Sequence, residues 1–432
     1  MITTELTDIK SKVIAWFESL PVDLANAEQR KTALSNFLEG GFPTIKNEDW
    51  KYTSVNKIVN IPYELTTTST GSFTQKELSQ FPFTNLDVYY QVFINGHYNA
   101  RLSNFPSTEN GLTISHLSDP AAKELANKYF NTVAKNDSGF ASLNTALTTD
   151  GTLIHLSPGK NLDKPLFLVF IADSRIETPL IQPRNIIVAE KNNELQLVEL
   201  FLSIGENQSL TNSITEVLCG ENAHIDYTKI HLEGDNNYHV ATTQFELLRD
   251  ASVSSHTLSI DGGFIRNNLN FVLKDKNCNV LLNGIYLPNR QQFMDNHTLV
   301  DHASPECYSN ELYKGIVNDS GTAVFNGKIM VRRDAQKTNA YQRNMNMLLS
   351  TEGSVNTKPQ LEIFADDVRC THGATTGQID EEAVFYLRSR GLSAENAKTL
   401  LMNAFADEII EHLKVEDIKK KLKKLISAKL TQ

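Results

Sequence analysis

The fold is decided by four stretches that repeat one pattern: NELQLVELF (193–201), NAHIDYTKI (222–230), DASVSSHTLSI (250–260) and NCNVLLNGIY (277–286). In each stretch an Asn or Asp precedes a β-prone run in which apolar and polar residues alternate. The residues that follow this Asn or Asp lie 27 to 29 positions apart: Glu194, Ala223, Ala251 and Cys278. A repeat of this period predicts a solenoid, because each coil buries its apolar face only by stacking on its neighbours.

The alternative to a solenoid is a β-sandwich built from evenly spaced hairpins. Asn283-Gly284 and Asn326-Gly327 are candidate two-residue turns for such hairpins. Because turns of this kind are few in the chain, the sequence favours the solenoid.

Helical patterns flank the β-rich region on both sides. Apolar residues recur at spacings of three and four over residues 6–20, and a second helical stretch over 26–38 ends at Gly40-Gly41. Near the other end, Ser393 is suited to cap a helix. Steps of four place the apolar residues of that helix in one stripe: Ala397, Leu401, Phe405 and Ile409. We predict a mainly β fold with an N-terminal helical or mixed domain (1–140), a β-helix core (141–370) and a C-terminal helical domain (371–432).

The charge and hydropathy of the chain argue against several classes of function. Its formal net charge of −10 disfavours a general binder of nucleic acid or of anionic membranes, because both need basic patches. No apolar run approaches the ~20 residues that cross a bilayer, and residues 1–10 lack the segments of a secretory signal. The four cysteines are scattered, as is typical of reduced thiols. We therefore expect a cytoplasmic protein that binds neither nucleic acid nor membrane.

One pair of residues is chemically distinctive. Cys370 and His372 are two positions apart in an extended segment, so their side chains point to the same side of the strand. Thiolate and imidazole suit iron, zinc or an iron–sulfur cluster. Two ligands cannot complete a tetrahedral site, so a second chain or a cluster would supply the others. Taken alone, the pair is also compatible with a buried free cysteine beside a hydrogen-bonded histidine.

Other histidines form two sets that stacking of coils would bring together. The first set is His224, His231 and His239, and the second is Asp295, His297, Asp301 and His302. Neither set has the spacing of an HExxH motif, and the sequence has no paired CxxC spacing. Because stacked coils routinely place unrelated polar residues side by side, we expect structural roles for both sets.

Four separated segments carry a family resemblance: EDWKYT (48–53), DNHTLVDHASPECY (295–308), KTNAYQRNMNMLLSTEGSVNTK (337–358) and VRCTHGATTGQIDEEAVFYLRSRG (368–391). They resemble motifs of the SufB/SufD family, which takes part in iron–sulfur cluster assembly. The resemblance covers essentially the whole chain. It implies a right-handed parallel β-helix flanked by helical domains, in agreement with the repeat.

Two positions resemble the SufD-type branch of that family. SufB-type chains carry a cysteine where this chain has Arg343, and they read acidic-His-acidic where it has Thr371-His372-Gly373. The resemblance therefore implies a scaffold with no catalysis of its own. It also implies pairing with a SufB-type paralogue through the solenoid end near Cys370 and His372, and docking of the SufC-type ABC ATPase on the C-terminal helices.

The same resemblance implies roles for single residues. His372, and after it Cys370, would form half of a metal or cluster site that the partner chain completes. The stripe on the C-terminal helix would contact the ATPase: Ala397, Leu401, Phe405 and Ile409. We expect no cofactor in the isolated chain and a transient iron–sulfur cluster at the interface of the complex. The sequence leaves open whether flavin binds and whether the isolated chain forms a homodimer. The alternative functions are a SufB-like homodimeric cluster carrier and a β-helix polysaccharide-active enzyme.

Overall fold

Strand stacking organises most of the chain, because a solenoid strand bonds to the strands of the coils before and after it. The computed structural model describes residues 2–21, 24–66, 73–106, 111–134 and 138–430. From Arg184 onward, each coil contributes one strand to each of two sheets. Neighbouring strands of these coils are parallel, and residue pairing is continuous apart from one register shift between β11 and β13, directly after His231.

The strands follow one another in two alternating sheets. In chain order they are β1 (Glu64–Leu65), β2 (Tyr89–Ile94), β3 (His97–Tyr98), β4 (Leu112–His116), β5 (Thr152–Leu156), β6 (Leu166–Asp173), β7 (Pro179–Ile181), β8 (Arg184–Ala189), β9 (Glu194–Ile204), β10 (Ser209–Cys219), β11 (His224–Leu232), β12 (Asn237–Leu247), β13 (Ser252–Asp261), β14 (Phe264–Leu273), β15 (Asn279–Tyr286), β16 (Phe293–His302), β17 (Tyr308–Val317), β18 (Thr322–Val331), β19 (Asn339–Leu348), β20 (Ser354–Ile363) and β21 (Arg369–Gln378).

The order of strands in the sheets identifies the architecture. One sheet runs β20-β18-β16-β14-β12-β10-β8-β5-β4; in addition, β7 pairs with β10, and β1 pairs with β7. The other sheet runs β21-β19-β17-β15-β13-β11-β9-β6-β2-β3. The β2–β3 and β4–β5 pairs at the start are antiparallel. The predicted parallel β-solenoid is confirmed, and the sandwich alternative is wrong.

The turns before β9, β11, β13, β15, β17 and β19 share a residue in the left-handed backbone conformation. Its φ lies between 53° and 62° in each turn: Asn192, Asn222, Asp250, Asn277, Glu306 and Lys337. Asn and Asp recur here because their short polar side chains tolerate this backbone conformation. The first member of the predicted repeat is assigned one residue too late in the chain. Glu194 pairs with His224, so the residue equivalent to Ala223 is Asn193.

Both Asn-Gly pairs that suggested hairpins lie inside strands β15 and β18. A Cβ on Gly284 would lie 2.1 Å from the ring of Tyr313, and one on Gly327 would lie 2.4 Å from Nε2 of Gln342. Gly284 therefore makes room for Tyr313 on the next strand of its own sheet, and Gly327 makes room for Gln342 on a strand of the other sheet. Close approach of this kind is a known role of glycine within a sheet.

Aromatic side chains stack along the solenoid interior. Phe93, Phe170 and Phe201 form a column in which successive ring centroids are 5.0 Å apart. Phe245 and Phe271 stack at 4.6 Å. These distances match the separation of neighbouring strands, about 4.8 Å. The columns therefore hold consecutive coils in one register.

Helices lie before and after the solenoid. In chain order they are α1 (Ile2–Glu18), α2 (Ala27–Gly40), α3 (Asn56–Val59), α4 (Gln75–Leu78), α5 (Lys123–Tyr129), α6 (Gly139–Leu147), α7 (Glu381–Ser389), α8 (Ala394–Ile410) and α9 (Glu416–Leu430), with 3₁₀ turns at Glu48–Trp50 and Pro120–Ala122.

The helices predicted at 6–20 and 26–38 are confirmed as α1 and α2. Ser393 caps α8 as predicted, because its hydroxyl accepts a hydrogen bond from the N–H of Asn396. Among the described helices, none is long and apolar enough to cross a bilayer.

The EDWKYT segment attaches the N-terminal region to the side of the solenoid. Trp50 is buried between Phe140, whose ring centroid is 5.5 Å away, and the guanidinium of Arg266, 4.3 Å from the indole ring. Arg266 forms a buried ion pair with Asp295, which also accepts a hydrogen bond from the hydroxyl of Thr53. Two of the family-like motifs therefore meet at one buried ion pair.

Strands of the two solenoid sheets extend beyond the expected core of residues 141–370 at both ends. β2 falls within 1–140 but pairs with β6 and belongs to the second sheet. At the other boundary β21 spans residue 370, and α7 begins at Glu381. The solenoid coils therefore continue to residue 378.

Candidate functional site

The solenoid ends in a coil whose two strands have a neighbour on one side only. β20 pairs with β18 and β21 with β19, and the described part of the chain supplies no further strand beyond them. The N–H of Arg369 donates to the carbonyl of Thr338 at 2.9 Å. Because alternate residues of a parallel strand bond to opposite neighbours, the backbone N–H and C=O groups of residues 370, 372, 374 and 376 face the open edge.

The two open edges differ in their protection against pairing. The N–H of Ser354 donates to Gly321 on the preceding coil, so the same alternation turns Pro359 toward the open edge of β20. A proline there removes a donor and discourages the addition of another strand. β21 contains no proline, and after Arg369 it has no Lys, Arg, Asp or Glu. The last coil therefore presents one protected edge and one unprotected edge, β21.

Cys370 and His372 lie on the unprotected strand and share one face of it. Their register neighbours Ala340 and Gln342 are buried, so both side chains point to the interior side of the last coil. Cys370 is half-buried, and this burial raises the pKa of its thiol above the ordinary value. His372 is exposed. The structure thus places both residues at the solenoid end, and their role in binding a metal or cluster stays a prediction.

A polar column leads from His372 into the solenoid. His372, Gln342 and Glu311 occupy one register position on consecutive strands, and Nε2 of Gln342 donates to Oε2 of Glu311 at 2.7 Å. Glu311 is buried, and burial raises the pKa of its carboxyl to about 7. We did not identify Glu311 from the sequence. The available signal was the alternation in β17, where Ser309, Glu311 and Tyr313 are spaced two apart and all buried.

The first histidine set comes together in part. The rings of His231 and His239 have centroids 4.5 Å apart. Their Nδ1 atoms contact the same carboxylate oxygen, Oε2 of Glu233, at 3.2 and 2.9 Å. His224 lies apart and is exposed, with Nδ1 2.6 Å from the hydroxyl of Ser252. Glu233 was missed in the sequence, although its position just after the buried end of β11, two residues from His231, was a usable signal.

The second set does not form one cluster. Nε2 of His297 lies 3.2 Å from Oδ1 of Asp295. Asp301 instead pairs with Arg332, and the ring of His302 bonds to a serine hydroxyl at 2.9 Å. These separate contacts agree with the structural role expected for this set.

The apolar stripe of α8 packs on the protein's own core. Ala397 and Ile409 have 0% exposed surface, and Leu401 and Phe405 are half-buried in the same cluster. The ammonium of Lys314 in β17 lies 4.2 Å from the Phe405 ring centroid and holds the helix against the solenoid. Ala397 and Ile409 therefore already form an intramolecular interface in this conformation, and the partner contact expected for the stripe stays a prediction.

Other apolar side chains of the C-terminal helices are exposed. Phe385 and Tyr386 in α7 are 73% and 57% exposed, and Leu400 in α8 is 48% exposed. Large exposed side chains of this kind are typical of interaction surfaces when they cluster.

Two family models match the chain. The SUF system FeS cluster assembly SufBD core domain matches residues 170–405, and the SufBD protein N-terminal region matches residues 16–168. The chain is 32% identical to the iron–sulfur cluster assembly protein SufD of Escherichia coli K12, over 93% of this chain and 92% of the relative. It is 29% identical to a SufBD family iron–sulfur cluster assembly protein of Synechocystis, over 90% and 87% of the two chains. It is also 26% identical to SufD of Bacillus subtilis, over 71% of each chain.

The raised pKa of Glu311 predicts a specific dependence of stability on pH. An unfolded glutamate ionises near pH 4.3, whereas the folded carboxyl stays protonated up to about pH 7. The wild-type chain should therefore lose stability as pH rises between these values, because only the unfolded state releases the proton. Glu311→Gln removes this loss, so the variant should be more stable by up to about 3 kcal/mol above pH 7 and nearly equal to wild type below pH 4.5.

Denaturant unfolding of the full chain between pH 4.5 and 8.5 measures this difference. Glu306→Gln is the matched control, because Glu306 is half-exposed at the turn before the same strand. The control should differ from wild type by an amount that does not change with pH in this range. Equal pH profiles for Glu311→Gln and wild type would show that Glu311 is ionised in the folded protein.

Proposed function

Because the chain belongs to the SufBD family of the SUF iron–sulfur cluster assembly system, we propose that it is the SufD-type scaffold of a cytoplasmic complex and has no catalysis of its own. In this proposal it pairs with a SufB-type paralogue through its open solenoid end and carries a SufC-type ATPase on its C-terminal helices. The observation that supports the proposal most is the unprotected edge of β21, on which Cys370 and His372 lie.

Pairing through β21 follows from its unused hydrogen-bonding groups. Every second residue from 370 to 376 turns its backbone N–H and C=O away from β19, and unpaired backbone groups are a template for strand addition. A strand of the partner's last coil would accept and donate these bonds and would cover the inner faces of both final coils. Pro359 disfavours the same pairing at the middle of β20. The proposal therefore makes β21 the principal contact.

The partner would also complete the ligand set. Cys370 and His372 supply a thiol and an imidazole, which together suit iron or an iron–sulfur cluster. Burial raises the pKa of the Cys370 thiol, so the thiol is mostly protonated near neutral pH and is a weak ligand until a cation displaces its proton. The imidazole of His372 is exposed and therefore accessible to an incoming cation, which makes it the first ligand in the proposal. The cluster is the cargo of this half-site rather than a resident cofactor.

The ATPase is proposed to dock on the exposed side of α7 and α8. The stripe predicted from the sequence is largely occupied by the protein's own core, so the docking surface moves to Phe385, Tyr386 and Leu400. α8 in turn packs on β15 and β17, three and two strands before β21 in the same sheet. A nucleotide-dependent movement of the helices would thus act on the coils that carry the half-site, and would open or close the interface.

The two alternative functions are less well supported. A SufB-like carrier would need the cysteine that Arg343 replaces in this chain, and a polysaccharide-active enzyme does not fit membership of an assembly family.

Replacing His372 tests the half-site. In a complex rebuilt with the SufB-type and SufC-type proteins of the same organism, His372→Ala should slow cluster formation by about ten-fold or more, because a site that loses a ligand or its support loses activity on that scale. Cluster formation is followed anaerobically by absorbance, and gel filtration reports complex formation. Thr371→Ala is the matched control, since Thr371 is exposed on the same strand but lies on its opposite face. Normal cluster formation by an intact His372→Ala complex would exclude a role for His372.

Replacing Leu400 tests the docking surface. Leu400→Asp should weaken ATPase binding by about 2 kcal/mol, the scale of a contact residue at the centre of an interface. The affinity is measured by titration of the purified chain with the SufC-type protein. Lys420→Asp on α9 also changes an exposed side chain to an aspartate and should bind normally. Equal affinities for both variants would place the ATPase elsewhere.

A further inference from the structure

A second group of ligand-type side chains lies deep in the solenoid, away from the open end. His231 is the penultimate residue of β11, Glu233 follows the end of that strand, and His239 belongs to β12; all three are at most 2% exposed. One ring nitrogen from each histidine and one carboxylate oxygen of Glu233 lie within 4.8 Å of one another. The two contacts to the carboxylate measure 3.2 and 2.9 Å. Ligands around a zinc ion at 2.0–2.2 Å are roughly 3.3 Å apart, so these two contacts already have about the spacing found in a coordination site.

The hydrogen bonds around a neutral His231 ring conflict when neither a cation nor an additional proton lies between the ring and Glu233. Its Nδ1 faces the carboxylate of Glu233, and its Nε2 faces Oδ1 of Asn267 at 3.1 Å. Both partners are acceptors, but a neutral imidazole has only one N–H. Turning the Asn267 amide would point its oxygen at Oδ1 of Asn296, 3.3 Å from the present Nδ2.

We propose that His231, Glu233 and His239 bind one first-row divalent cation, Zn²⁺ or Fe²⁺, as a resident ion of the solenoid. The cation takes the Nδ1 lone pairs of both rings and one carboxylate oxygen. Each ring then carries its proton on Nε2, and His231 donates that proton to Asn267 Oδ1 without conflict. Binding uses the Nδ1 lone pair of a neutral ring, so a proton held on Nδ1 moves to Nε2, and only a doubly protonated ring releases a proton to solvent.

The surroundings match those of protein metal sites. Metal-bound histidines usually donate their other N–H to a neighbouring acceptor. Here Nε2 of His239 lies 3.0 Å from the hydroxyl of Ser213, and Nε2 of His231 faces Asn267. The ring of Phe201 stacks on His231 at 5.2 Å and meets His239 edge-on at 4.4 Å, which holds both imidazoles in place. Two imidazoles and one carboxylate are the donor set of many zinc and non-haem iron(II) sites.

The nearest buried positive charge is paired with a carboxylate of its own, which limits its repulsion of a cation. Lys229 is buried in the same region, but its ammonium lies 3.3 Å from Oε2 of Glu199, so the charge of this lysine is balanced within that pair. Glu233 then supplies the negative charge that the cation needs. This replaces the purely structural role expected from sequence for His231 and His239.

This ion is separate from the half-site at the open end. β11 and β21 lie five strands apart in one sheet, which corresponds to roughly 24 Å. The ion would join the end of β11 to β12 across the corner between the two sheets. It would therefore stabilise the corner that connects these two strands.

Metal binding to the full-length chain tests the proposal. The chain is stripped with a chelator, and Co²⁺, Zn²⁺ and Fe²⁺ are titrated separately under anaerobic conditions. The metal content is measured after gel filtration, and the thermal unfolding midpoint is measured with and without metal. Co²⁺ also reports the ligands, because a site of two imidazoles and a carboxylate shows no thiolate charge-transfer band. Glu233→Gln and His239→Asn are the site variants, and Cys370→Ala/His372→Ala is the control.

The expected result is one cation per wild-type chain, a higher unfolding midpoint with metal, and no thiolate band. Each site variant should bind at least about ten-fold more weakly and lose the shift in midpoint, while the Cys370→Ala/His372→Ala control should retain both. The proposal is wrong if the stripped wild-type chain binds none of the three cations. It is equally wrong if Glu233→Gln binds as tightly as wild type, or if the control variant loses the ion.

Discussion

Backbone hydrogen bonding between coils is the interaction on which the rest of this structure depends. Each strand from β8 to β19 uses its N–H and C=O groups alternately toward the coil before and the coil after it. The ladder cannot satisfy itself at its end, so β20 and β21 keep half of these groups unpaired within the described chain. The chain protects one of these edges with Pro359 and leaves the other without proline or charge. This asymmetry is difficult to explain for a protein that acts alone, because an unprotected edge favours aggregation.

The interior of the solenoid contains both apolar and polar columns, and both arise because equivalent residues of successive coils stack on one another. Aromatic and aliphatic columns such as Phe93, Phe170 and Phe201 bury apolar surface at the spacing of the strands. Polar residues stack in the same way, so Glu311, Gln342 and His372 form a column that begins in the core and reaches the surface at the open end. The candidate site is therefore the exposed end of a buried polar column. Its residues are oriented by the coils beneath them.

The sequence predicts those features that repeat or that depend on neighbouring residues. The period of 27 to 29 residues identifies the solenoid, and the cap at Ser393 identifies the start of α8. Features that depend on contacts between coils are not predicted. Gly284 reads as a turn residue because nothing local reveals the ring of Tyr313 beside it. An apolar stripe such as that of α8 shows that a helix packs on something, but not whether the surface is its own or a partner's.

The same limit applies to the site residues. Cys370 and His372 were found because their spacing within one strand is local information. Glu311 and Glu233 were missed because their neighbours come from other strands or from beyond a turn, and one register error, such as that at Glu194, is enough to misalign such contacts.

The central claim is that β21 is completed by a partner strand, and residue-resolved hydrogen exchange measures this directly. The amides of residues 370, 372, 374 and 376 face the open edge, whereas those of 371, 373 and 375 are already bonded to β19. In the isolated chain as a monomer the first group should exchange fast and the second slowly. Addition of the SufB-type protein should slow the first group to the rate of the second. A stable complex in which these four amides still exchange as fast as in the monomer would contradict the account.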